Sequence, residues 1–131
     1  MRRSGILLCA LAALALGSGC KDTSINPEEY IFPTSNVSYA RDVQPFFNIT
    51  CAITGCHGQG TQQSMLRLNS YQELMDYSLF EVIPKDPENS ELVKRIEGRS
   101  AGQRMPLYRQ PLTQNQINGI RAWIGEGALN N

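Results

Sequence analysis

Histidine is almost missing from this chain: among 131 residues only His57 carries an imidazole. That scarcity removes whole classes of site. A blue-copper centre needs two histidines beside its cysteine. A tetrahedral zinc site needs four ligands, which one histidine and two nearby cysteines do not supply. An excess of positive charge is missing too, since 12 Lys and Arg face 12 Asp and Glu. No basic cluster exists to follow a phosphate backbone, so nucleic-acid binding finds no support. No stretch alternates apolar and polar residues as a half-buried strand does. No apolar run is long enough to span a bilayer.

The apolar run Ile6 to Leu16 follows Arg2 and Arg3 and precedes the small residues of "GSGC". A basic start, a short greasy middle and a small-residue exit form the layout of a secretory signal peptide. The run has no polar face, which an amphipathic helix would show. Residues 1–19 are therefore expected to be a signal peptide. "LGSGC" also resembles the bacterial lipoprotein box, whose cysteine becomes the acylated first residue, although Gly17 stands where that pattern usually has leucine. The resemblance implies lipidation at Cys20 and a membrane attachment facing the periplasm or cell surface. Each buried acyl methylene adds about 0.8 kcal/mol to such an anchor. Loss of Arg2 and Arg3 leaves a net charge of about −2.

The stretch "KDTSINPEEYIFPTSNV" holds two prolines, polar side chains and no sustained periodicity. Residues 20–37 are thus expected to be a lipid-anchored flexible linker, and residues 38–131 a single domain without internal repeats. Four helix signals follow. Val43, Phe46 and Phe47 share one face within Ala40 to Asn48, where Pro45 fits only inside a first turn. Ser70 and Glu73 have capping-box spacing before a short helix ending near Asp76. "DPENSELVKRIEG" offers a proline start, an apolar face of Leu92, Val93 and Ile96, and Gly98 as a stop. Thr113 and Gln116 pair as a second capping box; Ile117, Ile120 and Ile124 mark one side, Trp123 lies beside them, and Gly125 or Gly127 closes the helix. The class is all-α with long loops. About 90 residues in short helices make a thin core, a deficit that a covalent staple or a large apolar group would offset.

Cys9 falls in the signal segment and Cys20 at the lipid site, which leaves Cys51 and Cys56 of "CAITGCHGQG". In an oxidising compartment a disulfide is the default for such a pair. It would close only a tiny loop and give His57, Gly55, Gly58 and Gly60 no task. A thioredoxin-like pair would need C-x-x-C beside a βαβ pattern, and neither is present. Zinc would ask adjacent Cys56 and His57 to ligate one ion. Covalent haem accounts for more of the residues. In C-x-x-C-H, two thiols add to the porphyrin vinyl groups and the histidine ligates iron. The spacer here is "AITG", four residues instead of two. Gly55 tolerates the unusual backbone angles that such a bulge requires. With no second histidine, the other axial ligand falls to a methionine. Met65 and Met75 flank the second helix and read as packing residues. Met105 lies in "GRSAGQRMPLYRQP", a loop bearing proline and glycine that suits holding a thioether over a metal.

The segments "DVQPFFNITCAITGCHGQG", "LRLNSYQEL", "VIPKDPENSELVKRI", "RMP" and "LTQNQINGIRAWIGEGA" together resemble a class I-type cytochrome c domain. The likeness is greatest to the short planctomycete-type form and covers about Tyr39 to Ala128. Two departures are the long spacer, which some c-type cytochromes share, and a single proline after Met105 where the family often shows two. The resemblance implies one covalent haem c on Cys51 and Cys56, His57 as proximal iron ligand, Met105 as distal ligand, and a small helical fold with long loops packed around the haem. The expected function is that of a monohaem electron carrier of the cell envelope, meeting redox protein partners through small transient contacts. With both axial positions filled, the iron offers no open position to a substrate, so no enzyme activity is expected. Phe46, Phe47, Leu66, Leu68, Ile120 and Trp123 are expected first to pack the core, and in doing so to help bury the haem. Arg104, Tyr108 and Arg109 are candidates for its propionates, with simple solvent exposure the commoner fate for any one of them. "DPE" and the other carboxylates read as helix starts and solvated faces. Two other readings stay open: a haem-free envelope binding module stapled by a Cys51–Cys56 disulfide, and a small peroxidase in which Met105 is loose.

Overall fold

Short helices carry this chain, and most begin where a side chain replaces a missing backbone partner. The computed structural model describes residues 26–60, 65–78 and 80–131. Within them lie a 3-10 turn, Pro27–Glu29, a π turn, Tyr39–Val43, and four α-helices: α1, Gln44–Thr50; α2, Tyr71–Tyr77; α3, Glu91–Glu97; and α4, Gln114–Gly125. No strand occurs among the described residues, and the fold is all-α as expected.

Ser70 Oγ accepts the Glu73 N–H at 3.2 Å, which opens α2. Thr113 and Gln116 form a reciprocal capping box: Thr113 Oγ1 accepts the Gln116 N–H at 3.3 Å, and Gln116 Oε1 accepts the Thr113 N–H at 3.0 Å. Pro45 sits in the first turn of α1, where no intrahelical donor is lost. Gly98 ends α3 in the left-handed region, at φ +74°, which costs a glycine little. Pro87 does not open α3; it stands in the preceding turn, and Ser90 is the first flanking residue. The Ser90 hydroxyl accepts the Ile83 N–H and donates to the Asp86 carbonyl, both at 2.8 Å, so it braces that turn instead of capping the helix. The first donors of α3 go to the same segment: Glu91 N–H to the Phe80 carbonyl at 2.9 Å and Leu92 N–H to the Glu81 carbonyl at 3.0 Å.

The core gathers Phe46, Phe47, Leu74, Val93, Ile120, Trp123 and Ile124, all buried. Trp123 Nε1 donates to the Leu129 carbonyl at 3.0 Å, which lets the indole be buried with its polar atom satisfied. Tyr39 packs on both Tyr71 and Trp123, with ring centroids 5.1 and 5.4 Å away.

The expected linker through Val37 is corrected here for residues 26–37, which pack onto the domain as a strap. Phe32 is only 2% exposed. Its backbone is held by Asn115 of α4, whose Oδ1 accepts the Phe32 N–H at 2.8 Å and whose Nδ2 donates to the Phe32 carbonyl at 3.1 Å. Gln116 Nε2 donates to the Pro27 carbonyl at 2.7 Å. Glu126 accepts the N–H groups of Asn36 and Val37 at 2.7 and 2.9 Å. The Phe32 ring lies directly on Gly119, where a Cβ would collide with it. The signal segment 1–19 and Cys20 lie outside the described residues.

Gly119→Ala tests the strap. In a free helix alanine is favoured over glycine by about 1 kcal/mol, but here overpacking against Phe32 should reverse the sign and cost about 1–3 kcal/mol. Guanidinium unfolding reads it. In the Phe32→Ala background the same change should lose most of its cost; an equal penalty in both backgrounds would contradict the contact.

Candidate functional site

The cysteine loop starts where α1 runs out. Cys51 caps that helix, its N–H bound to the Phe47 carbonyl at 2.8 Å. The chain then folds back on itself: Cys56 N–H reaches the Ile53 carbonyl at 3.0 Å, and His57 N–H reaches the Cys51 carbonyl at 3.0 Å. The four residues between the cysteines therefore bulge outward. Gly55 supplies the φ of +86° that the bulge needs. Gly58 is required for a different reason. A Cβ there would lie 2.6 Å from the Ala52 oxygen and 2.8 Å from the Ile53 carbonyl, which are backbone atoms with nowhere to move.

His57 Nδ1 lies 3.1 Å from the Leu66 carbonyl oxygen. A carbonyl can only accept, so Nδ1 carries the proton and the lone pair of the neutral ring is at Nε2. That is the arrangement by which an outer hydrogen bond orients a metal-ligating imidazole. Leu68 N–H returns to the His57 carbonyl at 3.0 Å, so the loop and residues 65–68 are tied twice.

Cys51, His57 and Met105 line one cleft of about 230 Å³. Leu66, Leu68, Leu92 and Ile96 form its apolar walls. Met105 reaches it from the loop after α3, its N–H bound to the Arg95 carbonyl at 3.0 Å. The same loop is pinned by side chains. Arg95 Nε donates to Glu91 Oε1 at 2.8 Å, Ser100 Oγ donates to the same oxygen, and the Arg95 guanidinium lies over Gly102, where a Cβ would collide with it. The other methionines are elsewhere: Met65 is 87% exposed and Met75 packs against the core.

Cys51 and Cys56 are both free thiols; Cys56 is exposed and does not line the cleft. Burial pushes the Cys51 thiol up to about 12, the nearby Cys56 adds to the shift and Arg109 opposes it. Among the described residues no three His, Cys, Asp or Glu side chains form a group that could hold a bare metal ion. Cys51, Cys56 and His57 thus lack the convergence that zinc requires.

The structure sorts the residues expected around the cleft. Leu66 and Leu68 wall the cleft, but Phe46, Phe47, Ile120 and Trp123 are buried without lining it. Their hydrophobicity foretold burial, not which side of the domain they serve. Leu92 and Ile96, recognised only as the apolar face of α3, take that place. Arg104, Tyr108 and Arg109 are exposed and lie outside the cleft. Its guanidinium is Arg95. The reading of the carboxylates as solvated fails at Glu81, which is 7% exposed and lines the cleft with Glu91. Burial raises Glu81 to about 7, the like charge of Glu91 adds to the rise, and Arg95 opposes it. Glu91 moves the other way, held down by the Ser100 hydrogen bond and then by Arg95.

A family model described as planctomycete cytochrome C matches residues 54–106. That segment contains Cys56, His57 and Met105 and covers less than half of the chain. It supports a cytochrome c-type domain. No curated protein and no solved structure matches the chain.

Glu81 gives stability a definite pH dependence. Folded, it keeps its proton to about pH 7, whereas the ordinary carboxyl releases it near 4.5. Between those values the folded state binds the extra proton, so this contribution is complete below the lower value and is lost as pH rises through the upper one. In Glu81→Gln the guanidinium midpoint should fall less between pH 5 and pH 8 than in the wild type. Equal falls would contradict the assignment.

Proposed function

We propose that this chain is a monohaem c-type cytochrome lipoprotein that carries single electrons in the bacterial cell envelope. The observation that carries the reading is the convergence of Cys51, His57 and Met105 on one apolar-walled cleft, with His57 Nδ1 committed to the Leu66 carbonyl. The donor set fits haem c. A nitrogen and a thioether are the axial pair of the His/Met cytochromes, and a cysteine lies immediately before the histidine in sequence.

In this reading Cys51 and Cys56 are the residues that would hold the porphyrin covalently, through thioether bonds to its vinyl groups. His57, through Nε2, and Met105, through its sulfur, are the residues that would hold the iron. When bound, haem c supplies a one-electron redox centre whose potential is raised by thioether ligation and by burial. Leu66, Leu68, Leu92 and Ile96 exclude water from it. The Glu91–Arg95–Ser100 contacts pin the Met105 loop, so Met105 would stay at the iron, which favours electron carriage over peroxidase chemistry. Partner contacts are small and transient, as redox encounters are, and an acyl group on Cys20 keeps the domain at a membrane surface.

Expression in a host with haem-attachment machinery should give a coloured protein whose Cys51–Cys56 peptide carries the added mass of one haem. An unmodified peptide from such a host would sink the proposal. Met105→Ala should abolish the methionine–iron charge-transfer band of the oxidised protein and lower its potential; a surviving band would remove Met105 from the ligand set. Cys20→Ala should release the protein from membranes into the soluble fraction, and continued retention would contradict the anchor.

A further inference from the structure

We propose that Glu81 is a proton acceptor coupled to electron uptake, so that the protein carries a proton together with its electron. The inference rests on the reading of the cleft as the haem site and concerns a group that the reading itself does not use.

The geometry is that of a carboxylate enclosed beside a centre whose charge changes. Glu81 is almost fully buried, and it lines the cleft that His57 and Met105 share. Its main chain is fixed at both ends: its N–H donates to the Ser78 carbonyl at 3.1 Å, and its carbonyl accepts the Leu92 N–H at 3.0 Å. Among the described residues no hydrogen-bond donor serves its carboxylate. The groups lining the cleft with it can be named element by element. From α3 come Glu91, a like charge, and Arg95, whose Nε is engaged by Glu91 at 2.8 Å. The end of α2 offers the Tyr77 phenol, and the cysteine loop offers Cys51 and His57. Among the described residues Arg95 is the guanidinium on this wall and it is already paired, so Glu81 gains little compensation for ionising.

One more negative charge in the cleft makes that worse. An electron arriving there repels the Glu81 carboxylate at low effective dielectric, and the cheaper outcome is neutralisation. The balance is simple. One electron comes from a reducing partner, one proton comes from solvent water, and one O–H bond forms at the Glu81 carboxyl. Oxidation reverses all three. The position of Glu81 near the neutral range makes the coupling operate at ordinary pH.

The test is the reduction potential of the haem-loaded wild-type protein, titrated from pH 5 to pH 9. The expected result is a segment in which the reduction equilibrium constant falls by up to tenfold per pH unit, about 59 mV for one electron. Glu81→Gln should flatten that segment while keeping the haem spectrum and the methionine–iron band. Glu81→Asp, which retains a carboxylate, should restore a slope. If Glu81→Gln does not load haem, Glu91→Gln replaces it; removal of the like charge should move the sloping segment to lower pH. A flat wild-type profile, a slope unchanged in Glu81→Gln, or an unmoved segment in Glu91→Gln overturns the proposal. A colourless wild-type protein would instead overturn the haem reading, so the two failures are distinct.

Discussion

The hydrogen bond between His57 Nδ1 and the Leu66 carbonyl is the constraint on which the site depends. It sets the proton on Nδ1 and fixes the orientation of the ring. It also binds the cysteine loop to the segment that supplies Leu66 and Leu68 to the cleft wall. The acceptor is a main-chain oxygen, so the constraint belongs to the path of the chain more than to any side chain. That path depends in turn on Gly58, because the two backbone oxygens beneath it leave no room for a Cβ. A residue with no side chain, next to the histidine in sequence, therefore decides where the imidazole can be.

What could be read in advance was local. The capping pairs Ser70 with Glu73 and Thr113 with Gln116 act within one helical turn, and the left-handed stop at Gly98 acts within two residues. The adjacency of Cys56 and His57 is of the same kind. The place of Met105 on the cleft wall is legible from its loop, which bears proline and glycine and leads into the last helix. The features that escaped notice depend on contacts distant in sequence. Phe32 has no periodic neighbours, and its partners Asn115 and Gly119 lie more than eighty positions away. Glu81 carried no mark of burial, because α3 and the Met105 loop enclose it. Gln116 gave away its capping role but not its second one, in which the same amide holds the carbonyls of Pro27 and Tyr30.

The apolar interior divides into two parts with different composition. Aromatic rings fill one: Tyr30, Phe32 and Phe46 form a contiguous set, and Tyr39 joins Tyr71 to Trp123. Aliphatic side chains, Leu66, Leu68, Leu92 and Ile96, supply the apolar part of the other, the cleft. Rigid rings with restricted rotamers suit a permanent core, whereas branched aliphatics give smooth walls to a cavity. Outside, Arg121 bridges Glu88 and Glu97 while Arg99 bridges the same two carboxylates, joining α3 to α4 and to the turn before α3. Such exposed pairs each contribute about 0–1 kcal/mol, so they orient the helices more than they hold them.

The docked strap changes the scale on which this domain can move. Had residues to Val37 been free, an acylated Cys20 would have allowed the domain to swing through up to about 60 Å of extended chain. With Asn26 already part of the packed body, only six residue steps separate it from Cys20, a reach of at most about 22 Å. A domain held on so short a leash would sample a thin layer above the lipid headgroups. If the domain carries the proposed haem, exchange of electrons would be confined to partners whose docking faces lie in that layer.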